Sequence, residues 1–420
     1  MKQSFVFTFL LLLATSLAAQ EDKLIDWRSD IEYLRVMLPA RHANIYFKVP
    51  KAEYEKGLDY VASRAASSTE TENRLRIQQF IASLGDSHTR LQWGYKSTEI
   101  LPFHVGYFTE GYFINGVEKA YESLHWRRLT HINGTPIEQV ADSLATLITI
   151  DNVGMFRSRI PTMMSVASTL RFFGFIDSDS VYIQVAPKAG MPDTYALPVD
   201  RERSKDWLYP DRSKLAYCWR GIGTYFNDTL MSDGLYFVQY NICGGREISK
   251  KYGKKEGLAE IPSFKEFEKR VLKTLNRPEV KTLVFDMRFN GGGASAQGTE
   301  MIKKIAKNKK INRKGGIYVV IGRQTFSSAI LNTLDFLQNT DAILIGEDTG
   351  GKPNHYGEIR SFDLPSSGLR VVYSTKYFVK EATERPTIEP DIRVEASFQD
   401  YINGIDPVLE RIRAELGKGQ

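Results

Sequence analysis

With 420 residues, 42% of them hydrophobic and 25% charged, the chain has ample material for two or three domains, each with its own core. A formal net charge of +6 is modest for this length and does not by itself support nucleic-acid binding. Two cysteines, Cys218 and Cys243, and six histidines show no ligand spacing, so neither a metal nor a cofactor is expected. The two cysteines read equally well as a pair or as two small buried residues.

The N-terminus joins Met1-Lys2 to an apolar run, Phe5 to Leu13, and a small-residue stretch, Ala14 to Gln20. That order is the pattern of a secretory signal peptide, assigned to 1–19. The run is shorter than the roughly 20 residues of a membrane span, and no other stretch is long enough, so the mature chain is expected to be soluble and exported, periplasmic or secreted.

A helical domain is expected over 20–98. Trp27, Ile31, Leu34 and Leu38 fall at helical spacing up to Pro39, and Tyr54, Leu58, Val61, Ala65 and Ile77, Ile81, Leu84 repeat the stripe. The third stripe runs into Gly85-Asp86-Ser87-His88-Thr89. His88 invites a catalytic reading, since histidine as a residue type titrates near neutrality, but the preferred reading is a turn in which Asp86 and Thr89 bond backbone groups and the ring packs locally. Over 99–205 the pattern becomes strands, with alternation at Gly106–Val117 and Val181–Val185, a helix at Ile137–Leu147 and another at Pro161–Phe173.

The stretch 206–420 alternates strand and helix, which predicts an α/β core. Strands are expected at Tyr236–Tyr240, Thr282–Asp286, Ile317–Ile321 and Ala342–Ile345, and helices from Ser263, over Ala294–Lys307 and from Ser327 to about Gln338. Short strands at Ile359–Phe362 and Leu369–Tyr373 and a helix opened by Asp406-Pro407 close the chain. The basic runs Lys250–Lys255 and Lys303–Lys314 lack interleaved stacking aromatics and read as solvated surface, so no nucleic-acid partner is expected.

Two strand-to-helix turns carry the chemistry. Asp286-Met287-Arg288-Phe289-Asn290-Gly291-Gly292-Gly293 lets backbone N–H groups approach a ligand at a helix N-terminus, as an oxyanion hole requires. Thr325-Phe326-Ser327-Ser328-Ala329 offers two serines, either of which can cap a helix or act as a nucleophile. A loop, Gly346-Glu347-Asp348-Thr349-Gly350-Gly351-Lys352, adds a lysine that serves as a base only if its surroundings favour the free amine.

In order and spacing these pieces resemble the tail-specific, or carboxy-terminal processing, serine proteases, whose wider family includes the tricorn core protease and the interphotoreceptor retinoid-binding protein. Its members carry Asp-Leu-Arg-x-Asn-x-Gly-Gly, a Thr-Ala-Ser-Ala-like turn and Gly-Glu-x-Thr-x-Gly-Lys. The family's lysine lies 25 residues after the nucleophile, and 352 − 327 = 25 here. The resemblance implies a crotonase/ClpP-like α/β protease core over 206–420, with the helical domain and a PDZ-like module over 99–205. The module lacks the usual Gly-Leu-Gly-Phe turn. It further implies Ser327 as nucleophile, Lys352 as base, backbone N–H groups of Gly292 and Ser328 as the oxyanion hole, and Thr349 orienting the lysine. Ile330 stands where many members have glutamate, and Tyr356 where some have a supporting glutamine; beside it His355 is the alternative base. The activity implied is hydrolysis of peptide bonds in proteins or peptides by a Ser-Lys dyad, with a non-catalytic peptide- or lipid-binding protein on the same fold as the alternative.

Overall fold

The computed structural model describes residues 24–92, 99–187, 191–199 and 206–417; the signal peptide expected at 1–19 lies outside them. The architecture is mixed α/β. Among the described residues no helix is long and apolar enough to cross a membrane.

Three helices, Trp27–Arg41, Lys51–Ala65 and Glu70–Ser83, bury the stripes read from the sequence, with Ile31, Leu34, Leu38, Tyr54, Leu58, Ile77 and Ile81 all inside. The first helix runs past Pro39 to Arg41 rather than stopping there. These helices do not pack only on one another. Their core takes in Phe362, Leu364, Val371 and Tyr373 from a long hairpin, His355–Asp363 and Arg370–Phe378, much longer than the short strands expected. The buried carboxylate of Asp30 accepts the N–H groups of Ser366 (2.7 Å) and Ser367 (2.9 Å) at the hairpin tip. The short strand Arg90–Leu91 pairs antiparallel with the same hairpin, Arg90 opposite Val372.

A second unit joins a three-stranded antiparallel sheet (Phe103–Phe108, Gly111–Glu118, Trp207–Leu208) to a four-stranded one (Thr135–Pro136, Leu129–Ile132, Ser180–Val185, Asp193–Pro198) over a shared core. The helix Ile137–Ala145 buries Ile137, Val140, Ala141 and Leu144 in it. The helix expected over Pro161–Phe173 is instead split into a 3₁₀ turn, Ile160–Met163, and a short helix, Ala167–Phe172. Backbone between them is used elsewhere: Val166 bridges to Ile100, and Ser165 O accepts from Leu101 N at 2.8 Å.

The remaining chain builds a six-stranded sheet in the order Ile392–Arg393, Ile343–Gly346, Ile317–Ile321, Thr282–Asp286, Leu235–Tyr240, Phe226–Leu230, all parallel except the last pairing. Alternate side chains point to opposite faces, and both faces are covered. Tyr236, Val238, Phe285, Val319 and Ile321 pack under the helices Phe264–Leu275, Ser295–Ala306 and Ser328–Asn339; Phe237, Val284, Tyr318, Val320 and Ile345 pack under Pro407–Gly417. Cys243 belongs to the first face and Cys218 to the second, and both thiols are unpaired.

Removing the Asp30 carboxylate strands two N–H groups at the tip of the hairpin. Asp30→Ala should therefore lower unfolding free energy by about 2 kcal/mol, read as a lower urea midpoint at unchanged slope.

Candidate active site

The strands Thr282–Asp286 and Ile317–Ile321 are parallel neighbours, so the turns leaving their carboxyl ends emerge side by side, where open α/β sheets place their sites. Backbone and side-chain bonds join these turns: Phe326 N donates to Asn290 O (3.0 Å), Thr325 Oγ1 to Met287 O (2.9 Å), and Ser328 Oγ to Gly293 O (2.7 Å). The last bond separates the two serines. Ser328 has its hydroxyl committed to the glycine turn, and Ser327 does not. Ser327 precedes the helix Ser328–Asn339 at φ 54°, ψ −122°, a conformation that a residue with a Cβ rarely adopts, and its side chain makes no capping bond. Strain at that point turns the hydroxyl out of the helix axis toward the neighbouring layer.

Gly292, at φ 102°, lies against this elbow; a Cβ there would stand 2.7 Å from Ser327 Cβ and 3.1 Å from Ser328 N. The expected oxyanion donor needs a correction, since the Gly292 N–H already donates to Asn290 Oδ1 at 2.9 Å. The next amide is better placed. Gly292 O accepts from Cys243 N (2.9 Å), so in a trans peptide the Gly293 N–H points the opposite way. Among the described residues the N–H groups of Gly293 and Ser328 have no hydrogen-bond acceptor. They stand beside the start of a helix whose dipole favours an anion.

Across from the elbow stands His88, and its ring reaches another layer of the fold instead of packing only within its own turn as expected. Its Nε2 is 2.9 Å from Ser327 Oγ, joining residues 239 apart in the chain. The ring is buried and stacked on both sides, against Phe326 (centroids 4.6 Å, 21°) and His355 (5.6 Å, 13°). Its Nδ1 is buried with no hydrogen-bond partner, so stacking rather than a carboxylate at Nδ1 fixes the ring plane. Burial is the main cause that pushes the imidazole down, to about 4, against the pull of Asp86; His355, Arg90 and Arg159 lower it further. The ring is consequently neutral at pH 7 and free to take a proton.

The turn chemistry expected of Asp86 is present, and it positions this histidine. Asp86 Oδ1 accepts the His88 N–H (2.9 Å), while Oδ2 accepts from His42 Nε2 (3.0 Å), Thr89 Oγ1 (2.5 Å) and Ser374 Oγ (2.6 Å). Burial pushes the Asp86 carboxyl up, but donation from His42, the proximity of His88 and donation from Ser374 and Thr89 prevail and bring it down to about 2.

Lys352 holds a different partner. Its Nζ lies 3.1 Å from Asp151 Oδ1, and Ser87 Oγ donates to the other oxygen of that carboxylate at 2.6 Å. Thr349, expected to orient the lysine, is buried and bonded instead to Gly351 O (2.9 Å), Thr387 Oγ1 (3.0 Å) and Ile388 N (2.8 Å), bracing the loop. His355 Nδ1 donates to Lys352 O (2.9 Å) and Pro353 O (3.2 Å), and its ring backs His88 rather than reaching Ser327. Tyr356 packs between Phe47 and Tyr377, 4.6 Å from each, near His42. A cavity of about 390 Å³ beside the site is lined by Asp151, Lys352, Asn354, His355, Tyr356 and Glu384 among others.

The structure thus brings together Ser327, Ser328, the glycine turn and His88, and sets Lys352 in an ion pair. The one local signal for His88 was the Gly85-Asp86-x-His88-Thr89 stretch; Asp151 had none. Such a pair, beside two open amides, suits acyl transfer through a serine.

Residues 255–394 match the family model described as Peptidase family S41. No curated protein matches the chain in sequence. Among solved structures, mature CPAF superposes with a TM-score of 0.63 at 12% identity, over 92% of this chain and 95% of that one. CPAF complexed with lactacystin gives the same TM-score and identity over 93% and 97%. At that identity the likeness speaks for the fold.

Strain at Ser327 has a measurable counterpart. Ser327→Gly should raise unfolding free energy by about 1–2 kcal/mol while removing the hydroxyl; a chemical-denaturation midpoint at or below that of the wild type would contradict a strained elbow.

Proposed function

Because residues 255–394 match the model of peptidase family S41, we propose that this chain is a serine endopeptidase in which His88, rather than Lys352, activates Ser327. The observation that carries the reading is the 2.9 Å contact between Ser327 Oγ and His88 Nε2 at a strained strand-to-helix elbow.

The reaction follows from that pair. Ser327 Oγ attacks the carbonyl carbon of a peptide bond and its proton passes to His88 Nε2. Negative charge on the carbonyl oxygen is received by the N–H groups of Ser328 and Gly293 at the helix start. Collapse of the tetrahedral adduct breaks the C–N bond, and His88 returns the proton to the leaving amine. Water then repeats the sequence on the acyl-serine, with His88 as base, and frees the acid. The imidazolium formed in each half is favoured by the Asp86 carboxylate beneath the turn. Lys352 and Asp151 form a charged wall next to the reacting groups, suited to holding substrate.

The remaining parts of the reading are of the same standing. The strand-rich unit with its own core supports a PDZ-like module over 99–205, and the parallel sheet with helices on both faces supports a crotonase/ClpP-like core over 206–420. The leader at 1–19 makes the protein an exported one whose substrates are proteins or peptides met outside the cytoplasm.

Turnover of an unfolded protein substrate separates the candidates for the base. Ser327→Ala and His88→Gln should each lower kcat by about 10⁴-fold, with both variants folded by circular dichroism. Lys352→Met should cost far less; a loss equal to that of Ser327→Ala would return the base role to the lysine. Since activity requires neutral His88, kcat/KM should hold down to about pH 5 and fall with an acid limb near 4. A limb near the ordinary histidine value would contradict a buried base.

A further inference from the structure

The helix Ile137–Ala145 buries one face and turns another to solvent. Glu138 and Asp142 stand on that outer face, four residues apart and therefore neighbours. Among the described residues neither carboxylate has an ion-pair or hydrogen-bond partner. Both line a cavity of about 700 Å³ in the strand-rich unit, at the turn between the strands Phe103–Phe108 and Gly111–Glu118. Glu110 and Asp151 bring the acids of its wall to four, but their carboxylates are engaged, Glu110 with Phe398 N (2.9 Å) and Asp151 with Lys352 (3.1 Å). Arg157 is the single base among the described residues of the wall, and Glu395 holds it at 3.6 Å. Such a wall is opposite in sign to a chain that carries +6 overall.

Tyr112 adds an independent sign of a ligand. The residue is 4% exposed and lines the same cavity, its ring edge-on to Tyr107 with centroids 5.2 Å apart. Its hydroxyl has no hydrogen-bond partner among the described residues and is not sealed in, so it opens into the cavity. Burial is the main cause that pushes the phenol up, Tyr107, Glu138 and Asp142 add to it, and Arg157 opposes it, which keeps the hydroxyl protonated. Asp151 lines both this cavity and the one of about 390 Å³ that Lys352 and His355 line beside the site. A peptide lying across the serine therefore passes Asp151 to reach it.

Resting on the peptidase reading above, we propose that this cavity is a cation-binding subsite, selecting substrates that carry a lysine or arginine side chain, or a free N-terminal ammonium, at a fixed distance from the bond to be cut. Glu138 and Asp142 supply the charge, Phe156 and Tyr112 an apolar wall for the stem, and the Tyr112 oxygen a lone pair for the head group. The sign of the charge excludes a chain-terminal carboxylate as the occupant. Two carboxylates that repel each other on one helix face are relieved when the cation arrives.

Two sets of unstructured peptides distinguish the sources of the cation. One set differs only in Lys, Gln or Glu at successive positions, the other only in a free against an acetylated N-terminus. Dissociation constants are measured on full-length Ser327→Ala, and kcat/KM ratios on the active enzyme. In one set the cationic member is expected to bind about tenfold tighter than its neutral counterpart, a preference that shrinks as salt is raised. Adding Glu138→Gln with Asp142→Asn should bring that ratio to about one, and Glu138→Lys with Asp142→Lys should reverse it in favour of the anionic or acetylated peptide. Both positions are exposed, so these variants are expected to fold; Tyr112→Phe should remove part of the preference. A ratio near one in both sets, or a ratio untouched by Glu138→Gln with Asp142→Asn, overturns the subsite and leaves the Ser327–His88 assignment standing. A cation preference on Ser327→Ala with no hydrolysis of any peptide by the wild type would instead keep the subsite and overturn the peptidase reading.

Discussion

The carboxylate of Asp86 is the group on which the site depends, although it touches neither Ser327 nor the imidazole ring. Four donors from three parts of the chain converge on it: His42 after the first helix, Thr89 and the His88 amide in the turn, and Ser374 on the hairpin. His42 can donate through Nε2 because Asn44 N occupies its Nδ1 at 3.0 Å, which fixes the tautomer. The folded carboxyl lies below its ordinary value, so its contribution is in place above about pH 4 and is lost as pH falls toward 2. Taking it away would leave buried hydroxyl and imidazole donors without an acceptor, a larger penalty than any one of those bonds is worth.

The sheet side of the site is held differently. Its glycine turn is clamped by the guanidinium of Arg288, which spans Asp406 through two bonds (3.1 and 3.0 Å) and Asp286 at 3.0 Å. Because Asp406 opens the helix Pro407–Gly417, that helix is anchored to the loop that carries the candidate oxyanion donors. Burial pushes the Asp286 carboxyl up, against the neighbouring Arg288 charge. The pairing satisfies charges that are mostly buried, and its geometry fixes the turn against which Ser327 is strained. One half of the site is thus a preorganised elbow on a rigid sheet, and the other a histidine delivered by packing between helices and a hairpin.

That division explains what was legible in the sequence. Elements with a period, such as the stripe of Leu34, Leu38 and Ile31 or the runs at Thr282–Asp286 and Ile317–Ile321, declared themselves because burial leaves a repeating mark. Register against the resembled family favoured Ser327 over Ser328, and the two also differ in the structure, where the Ser328 hydroxyl is spent on Gly293 O. The partner of Ser327 was not legible. A histidine in an Asp-x-His-Thr turn looks the same whether it packs locally or reaches another layer, and a lysine in a glycine loop does not disclose that Asp151 waits for it. Both outcomes are fixed by contacts between distant segments, as is the break of the 161–173 helix, which serves the bridge between Val166 and Ile100.

Ser327 and its histidine are 239 residues apart, and they meet only once the hairpin has docked on the N-terminal helices. Closing a loop of that length costs conformational entropy that the docked layers must offset. Until it happens the sheet can hold a complete elbow whose serine is an ordinary alcohol. Undocking the hairpin and the helices beneath it would part Ser327 from His88 while leaving the elbow on its sheet.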